Sequence, residues 1–208
     1  MRRLVAIAMT CAAMGIGISS GAYAATFKWA SQGDILTFDP HAQNEAFNNT
    51  ANSYVYEALV NLNKGKVTPS LAESWTSVPE GFVFKLRKGV KFHEGETLTA
   101  EDVAFSINRA LHPISQFKTF TAGILGAEAL PNGDVLIKTI NHSPVLLNQL
   151  AYLRILNKAW AEKHGATAPQ NFVAKEEAYA AKHANGTGPF KLQSLSLIHI
   201  SEPTRPEP

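Results

Sequence analysis

The chain has 208 residues, 45% of them hydrophobic, with 19 Lys and Arg against 17 Asp and Glu and a formal net charge of +2. That balance leaves no basic excess of the kind a nucleic acid or an anionic membrane surface requires, which argues against both as partners. The single cysteine, Cys11, excludes an internal disulfide, so a packed core must hold the fold.

In chain order, Arg2 and Arg3 precede an apolar run over residues 4–18, and Ala22-Tyr23-Ala24 offers a small-x-small cleavage site. Residues 1–24 read as a secretory leader cleaved after Ala24, the apolar run being shorter than the roughly 20 residues of a bilayer span. Residues 26–30 alternate and predict an opening strand, 31–34 turn it, and 37–41 form a loop fixed by Pro40. Phe47, Ala51, Tyr54, Val55, Ala58, Leu59 and Leu62 share one helical face, which predicts an amphipathic helix ended by Asn63-Lys64-Gly65. Burying its larger side chains is worth about 7–15 kcal/mol before entropy, so this helix must pack on something.

The densest local code lies over residues 71–103. Phe82, Phe84 and Leu86 alternate with Val83, Lys85 and Arg87, predicting a strand with one apolar face. Lys88-Gly89 breaks it, and 90–92 predicts a second short strand. Thr99 with Asp102 three residues on is a capping box, opening a helix over 100–111 that carries Val103, Phe105, Ile107 and Leu111. His112-Pro113 stops it, since a residue before proline avoids the α region.

Further on, Asn132-Gly133 joins 126–130 to 135–140 as a hairpin. Ser143-Pro144 supplies an N-cap and a first-turn proline for a helix through Leu150. Residues 154–156 predict a short strand, and helices follow over 158–164, stopped by Gly165, and 175–183, stopped by Asn185-Gly186. Hairpins and helices mix irregularly, which gives the fold class: mixed α/β, of the α+β kind. Residues 195–208, with three prolines among the last six, read as a foreign tail resembling translated adapter sequence.

Reaction chemistry finds little footing. His93-Glu94-Gly95-Glu96 lacks the helical i, i+4 histidine pair of a zinc hydrolase and reads as a polar turn. His41, His112, His142, His164 and His183 are scattered beside turns and helix ends, where a cation complements the macrodipole. Gly186-Thr187-Gly188 lacks the Lys-Ser/Thr ending of a phosphate loop, and no serine sits in a nucleophile elbow. The reading is a non-enzyme with no catalytic residue, metal or cofactor.

The runs LAESW (71–75), FKLRKGVKFHEG (84–95) and TAEDVAFS (99–106) occur in order with Phe38-Asp39-Pro40-His41, Tyr56-Glu57-Ala58-Leu59, Pro69-Ser70-Leu71 and Asn185-Gly-Thr-Gly-Pro-Phe190. Together they resemble the family 5 extracytoplasmic solute-binding proteins, the peptide- and nickel-binding receptors of ABC importers. The resemblance implies a periplasmic-binding-protein-like fold, first lobe only, with the second lobe missing. Residues 25–194 would form that part, a base subdomain with an inserted subdomain from about 56 to 187.

It further implies a periplasmic receptor, a monomer when complete, that delivers a short peptide or similar small solute to a membrane ABC permease complex. By matching position, the loop residues Asn44, Glu45 and Ala46 would face the ligand, and Phe117 or Phe120 would line the cleft. Nickel, haem, an oligosaccharide or an opine are alternative cargoes in such a family. The rival outside it is an exported metal-dependent hydrolase using His93 with Glu94 or Glu96.

Overall fold

The computed structural model describes residues 33–141 and 145–195. The leader, the strand expected at 26–30, the Ser143-Pro144 cap, His142 and the tail from 196 onward lie outside the described residues. The described fold is mixed α/β, as the element pattern predicts.

Helix α1 spans Ala46–Val55 and stops seven residues short of Leu62, where the apolar stripe predicts its end. The stripe's last members belong to a strand. Val60-Asn61-Leu62-Asn63 alternates, and β1 (Val60–Asn63) pairs antiparallel with β2 (Lys66–Pro69). Lys64 at φ 50° and Gly65 at φ 77° make the two-residue turn between them, the left-handed pair that matches strand twist. Gly65 thus closes a hairpin where the sequence reading had it stop a helix.

A four-stranded antiparallel sheet follows, in the order β3-β4-β6-β5, from β3 (Ala72–Val78), β4 (Gly81–Leu86), β5 (Ile124–Ala129) and β6 (Val135–Thr139). Phe82, Phe84 and Leu86 are buried as their alternation predicts, and Phe84 pairs with Val135 and Phe82 with Ile137 across β6. The expected strand at 90–92 is reduced to one bridge, Lys91 to Thr97. Between them, Phe92 N–H donates to Glu96 C=O and Gly95 N–H to Phe92 C=O, closing a tight turn that leaves no length for a ladder.

Helix α2 (Ala100–Ala110) carries the predicted capping box, with Thr99 Oγ1 accepting from Asp102 N–H and Asp102 accepting from Thr99 N–H. It has two buried faces. Val103, Ile107 and Ala110 join the cluster of the sheet, with Phe84, Phe92 and Ile137. Asp102, Ser106 and Arg109, at spacings of four and three, form a buried polar stripe on another side. That stripe holds the chain beyond residue 154: Asp102 accepts from Asn157 and Lys158 N–H, and Ser106 Oγ bonds both N–H and C=O of Leu156. There a second cluster gathers Phe38, Val55, Tyr56, Leu156 and Trp160.

The remaining helices are short: α3 (Lys118–Thr121), α4 (Leu146–Leu150), α5 (Lys158–Lys163) and α6 (Tyr179–Lys182). α5 ends at Gly165, φ 65°, as expected. α6 is much shorter than the predicted 175–183. Lys175 sits at φ 54°, and Glu176 is drawn into a loop by Asn171 C=O and by Gln170 Nε2, so no helical turn forms there. The strand expected at 154–156 is a single bridge from Arg154 to Ala58, beside Ile155 N–H donating to Glu57 C=O.

The chain leaves α1 and later returns beside it. Gly188 N–H donates to Val55 C=O and Phe190 N–H to Tyr54 C=O. A Cβ on Gly186 or Gly188 would strike the Val55 backbone, which is why both positions are glycine.

Candidate functional site

The loop expected to face a ligand is anchored by a buried ion pair. Arg109 donates from Nη1 and Nη2 to the two oxygens of Asp39, each at 2.7 Å, and both side chains are 0% exposed. The remaining lone pairs and donors are filled. Asp39 accepts from His41 N–H (3.1 Å) and Gln170 N–H (2.8 Å), while Arg109 donates to the carbonyls of Ala166 and Ala168, both at 2.9 Å. Burial alone would raise the Asp39 carboxyl, but the charge and hydrogen bonds of Arg109 hold it below its ordinary value.

His41 completes the knot. Its Nδ1 lies 3.2 Å from Arg109 Nη1, and because a guanidinium only donates, Nδ1 must accept. The proton is therefore on Nε2, which donates to Arg154 C=O at 3.1 Å. Burial, reinforced by the Arg109 charge, pushes the imidazole down to about 3, so the ring is neutral. The carbonyl of His41 accepts from Gln116 N–H and Ser115 Oγ. The phenol of Tyr56, also fully buried, is pushed above its ordinary value by burial and by the Asp39 charge.

Three residues beyond this knot, Asn44, Glu45 and Ala46 are exposed. Glu45 is the N-cap of α1, accepting from Asn48 N–H at 3.0 Å, and its backbone is extended (φ −123°, ψ 142°). Asn44 Oδ1 accepts from Asn49 Nδ2 at 2.8 Å. The two phenylalanines have different surroundings. Phe117 is 1% exposed, packed against the edge of His41, so its ring belongs to the core. Phe120 is half-buried and stacks on Tyr152, with centroids 4.5 Å apart and planes 15° apart.

Tyr152 leads into a pocket of about 430 Å³ that Ser53, Tyr56, Glu57, Arg154 and Pro189 also line. That volume is in the range of small-solute sites, about 300–1,000 Å³. Arg154 is half-buried, and desolvation, outweighing the charges of Tyr152 and Glu57, pushes its guanidinium down to about 10. No carboxylate of the described residues lies within 4.0 Å of it. A smaller depression of about 200 Å³, beside Gly123 and Ile140, has no charged lining residue.

Sequence reasoning missed Arg109, Tyr152 and Arg154. Signals for the two arginines existed. Asp102, Ser106 and Arg109 repeat at helical spacing beside an apolar stripe, and Arg154 interrupts the apolar run Leu153-Arg154-Ile155-Leu156.

The His93 turn is clasped to the returning chain. His93 Nε2 pairs with Gly188 C=O at 2.8 Å, Glu94 N–H donates to Asn185 Oδ1, and Asn185 Nδ2 donates to Glu96. The His93 ring and the Glu96 carboxylate are thus held in a structural clasp, which Glu94 joins through its backbone N–H. Among the described residues no group of three His, Cys, Asp or Glu is placed to hold a metal.

Known proteins share this arrangement of elements. MoaA of A. tumefaciens R10, solved in complex with mannopinic acid, is similar at 31% identity with a TM-score of 0.65, over 78% of this chain and 33% of MoaA. The oligopeptide-binding protein AppA of Bacillus subtilis, solved with a nonapeptide, is similar at 26% identity and a TM-score of 0.65, over 77% of this chain and 32% of AppA. The glutathione-binding protein GsiB of Escherichia coli (strain K12) is 29% identical over 168 residues, 77% of this chain and 30% of GsiB. The chain thus spans about 30% of the length of the curated relatives it matches most fully. The family profile of bacterial extracellular solute-binding proteins, family 5 (middle), matches residues 66–198, more than half of the sequence, and the chain belongs to that family.

Proposed function

We propose that this chain forms one wall of the substrate-binding component of an ABC transporter, which captures short peptides in the periplasm and hands them to a membrane permease complex. The observation that carries the reading is a surface built on a rigid frame. The exposed loop Asn44, Glu45 and Ala46 opens α1, Ser53 of α1 lines the pocket, and Tyr152 joins that pocket to Phe120. Extended backbone at Glu45 offers N–H and C=O groups to a peptide in the way a sheet edge does. Phe120 and Tyr152 would give an apolar platform, and Phe117 would support it from beneath.

In this reading residues 25–194 belong to a first lobe, with 56–187 inserted into its base. The meeting of residues 54–55 with 188–190 supports those boundaries. Ligand is buried when a second lobe closes over the wall, since small-solute sites cover about 70–90% of their ligand. Residues 1–24 act as a leader, and sequencing the exported product is expected to begin at Ala25.

A second cargo, an opine such as the mannopinic acid bound to MoaA, is favoured by the likeness to that protein and by the presence of Arg154 in the pocket lining. The test is a thermal-shift series on the complete reading frame that contains this chain, with di- to pentapeptides, glutathione, mannopinic acid, haem and nickel with L-histidine. A melting temperature raised by peptides supports the proposal. A rise with another solute alone reassigns the cargo, and no rise with any of them removes the receptor reading.

A further inference from the structure

Two asparagines of the chain are followed by glycine, Asn132 and Asn185, and the fold places them in opposite surroundings. An asparagine so placed can react within its own chain, the backbone nitrogen of the next residue attacking the side-chain carbonyl carbon while ammonia leaves. Glycine permits this most readily, because no Cβ shields its nitrogen and its backbone reaches the conformations that ring closure needs. The fold decides whether the two reacting groups can meet.

Asn132 is exposed at the tip of the β5–β6 hairpin, and Gly133 beside it has nothing within 4 Å of where a Cβ would stand. Asn132 Oδ1 accepts from Asp134 N–H at 3.1 Å, and its Nδ2 donates to the Asp134 carboxylate at 2.7 Å. The first of these bonds closes a ring of atoms that contains the Gly133 nitrogen, so the side-chain carbonyl stays beside its attacker. The same bond draws electron density from that carbonyl and leaves its carbon more electrophilic. Gly133 N–H donates to Leu130 C=O at 2.9 Å, and this bond must open before the nitrogen can attack. At an exposed tip such opening is local and leaves the strand ladder intact.

Asn185 is 0% exposed and pinned at both ends of its amide. Its Oδ1 accepts from Glu94 N–H, its Nδ2 donates to Glu96, and the Gly186 C=O accepts from His93 N–H. Gly186 is pressed against the Val55 backbone, so the peptide cannot turn towards the side chain. These three hydrogen bonds must break together, and at about a factor of five each they slow the reaction by about a hundredfold.

We propose that Asn132 is a site of spontaneous covalent self-modification, and that the fold protects Asn185 from the same fate. The Gly133 nitrogen bonds to Asn132 Cγ as the Cγ–Nδ2 bond breaks, and the Gly133 amide proton leaves with Nδ2 as ammonia. Water then opens the resulting five-membered imide at either carbonyl, which gives an aspartate or an isoaspartate at position 132. Each product puts a carboxylate where the Asp134 carboxylate had a donor, so two like charges face each other in one turn. Isoaspartate also lengthens the backbone between Leu130 and Asp134, whose N–H and C=O are bonded across the turn. Both changes loosen the β5–β6 hairpin, whatever solute the protein takes.

The test is an ageing series of the full chain at mildly alkaline pH, in buffer and in concentrated urea, with peptides covering both positions read by mass spectrometry. In buffer, position 132 is expected to convert to acid while position 185 lags by about a hundredfold. In urea the two positions should convert at similar rates. Asn132→Gln, which would have to close a six-membered ring, should abolish conversion at 132 and leave position 185 as it was. A position 132 that stays an amide in buffer yet converts in urea overturns the proposal, and so do equal rates at the two positions in buffer.

Discussion

Asp39, Arg109 and His41 show how one buried charge pair fixes a loop. Taking one partner away leaves the other charge buried and unpaired, at a cost of about 3–5 kcal/mol. Arg109→Leu is therefore expected to lower the free energy of unfolding by about that amount in urea titrations, and the Asp39→Asn, Arg109→Leu double variant by less than the two single losses combined. Solution pH tests the same knot. The unfolded chain takes a proton at residue 41 below its ordinary value of 6.5, whereas the folded chain resists down to about 3. Stability should be fully present above 6.5 and fall as pH drops towards 3. Asp39 acts in the same direction, because a carboxyl held below its ordinary value loses its contribution as pH falls through the folded value. His41→Gln, which keeps a donor and an acceptor, is expected to show a shallower acid decline. Equal slopes would remove His41 from the response. None of this trio was legible as a unit in the sequence, because its members lie 68 and 70 positions from Arg109 and only the fold brings them together.

The elements with the strongest local codes agree with the structure, although the short strand expected at 90–92 does not. β4 follows from alternation, the β5–β6 hairpin from Asn132-Gly133, and α2 from its capping box, each written in residues that touch each other. Where a distant partner decides, the reading failed. The segment after α1 satisfies a helical stripe and a strand alternation alike, and the Lys64-Gly65 turn with its pairing to β2 selects the strand. Helix α6 is cut short because Gln170 captures the Glu176 carbonyl. Of the proposed ligand-facing surface, the loop residues Asn44, Glu45 and Ala46 rest on the resemblance, and the pocket had no signal in the sequence, since it forms between α1 and a segment a hundred residues further on. Two substitutions examine elements directly. Thr99→Ala removes the α2 cap and is expected to cost about 0.5–2 kcal/mol in unfolding experiments. Gly186→Ala drives a methyl into the Val55 carbonyl and is expected to cost about 1–3 kcal/mol or more, since overpacking at fixed backbone cannot relax easily.

Across the described molecule, α2 is shared by two apolar clusters, and its polar stripe links one to the other. Both clusters are therefore expected to melt together. Fluorescence of Trp75, packed on the sheet cluster, and of Trp160, in the second, should report one midpoint when read in variants that retain only one of the three tryptophans, Trp29 being replaced in both. Separate midpoints would mean that α2 does not couple them.

The tautomer of His41 has a consequence at the far end of the same residue it grips. The peptide carbonyl of Arg154 is held by a fully buried histidine, while the same residue lines the pocket. A fishing hook works because its shank does not bend. Here the shank is set once, when the chain folds, so in the proposed receptor a solute would have little left to organise.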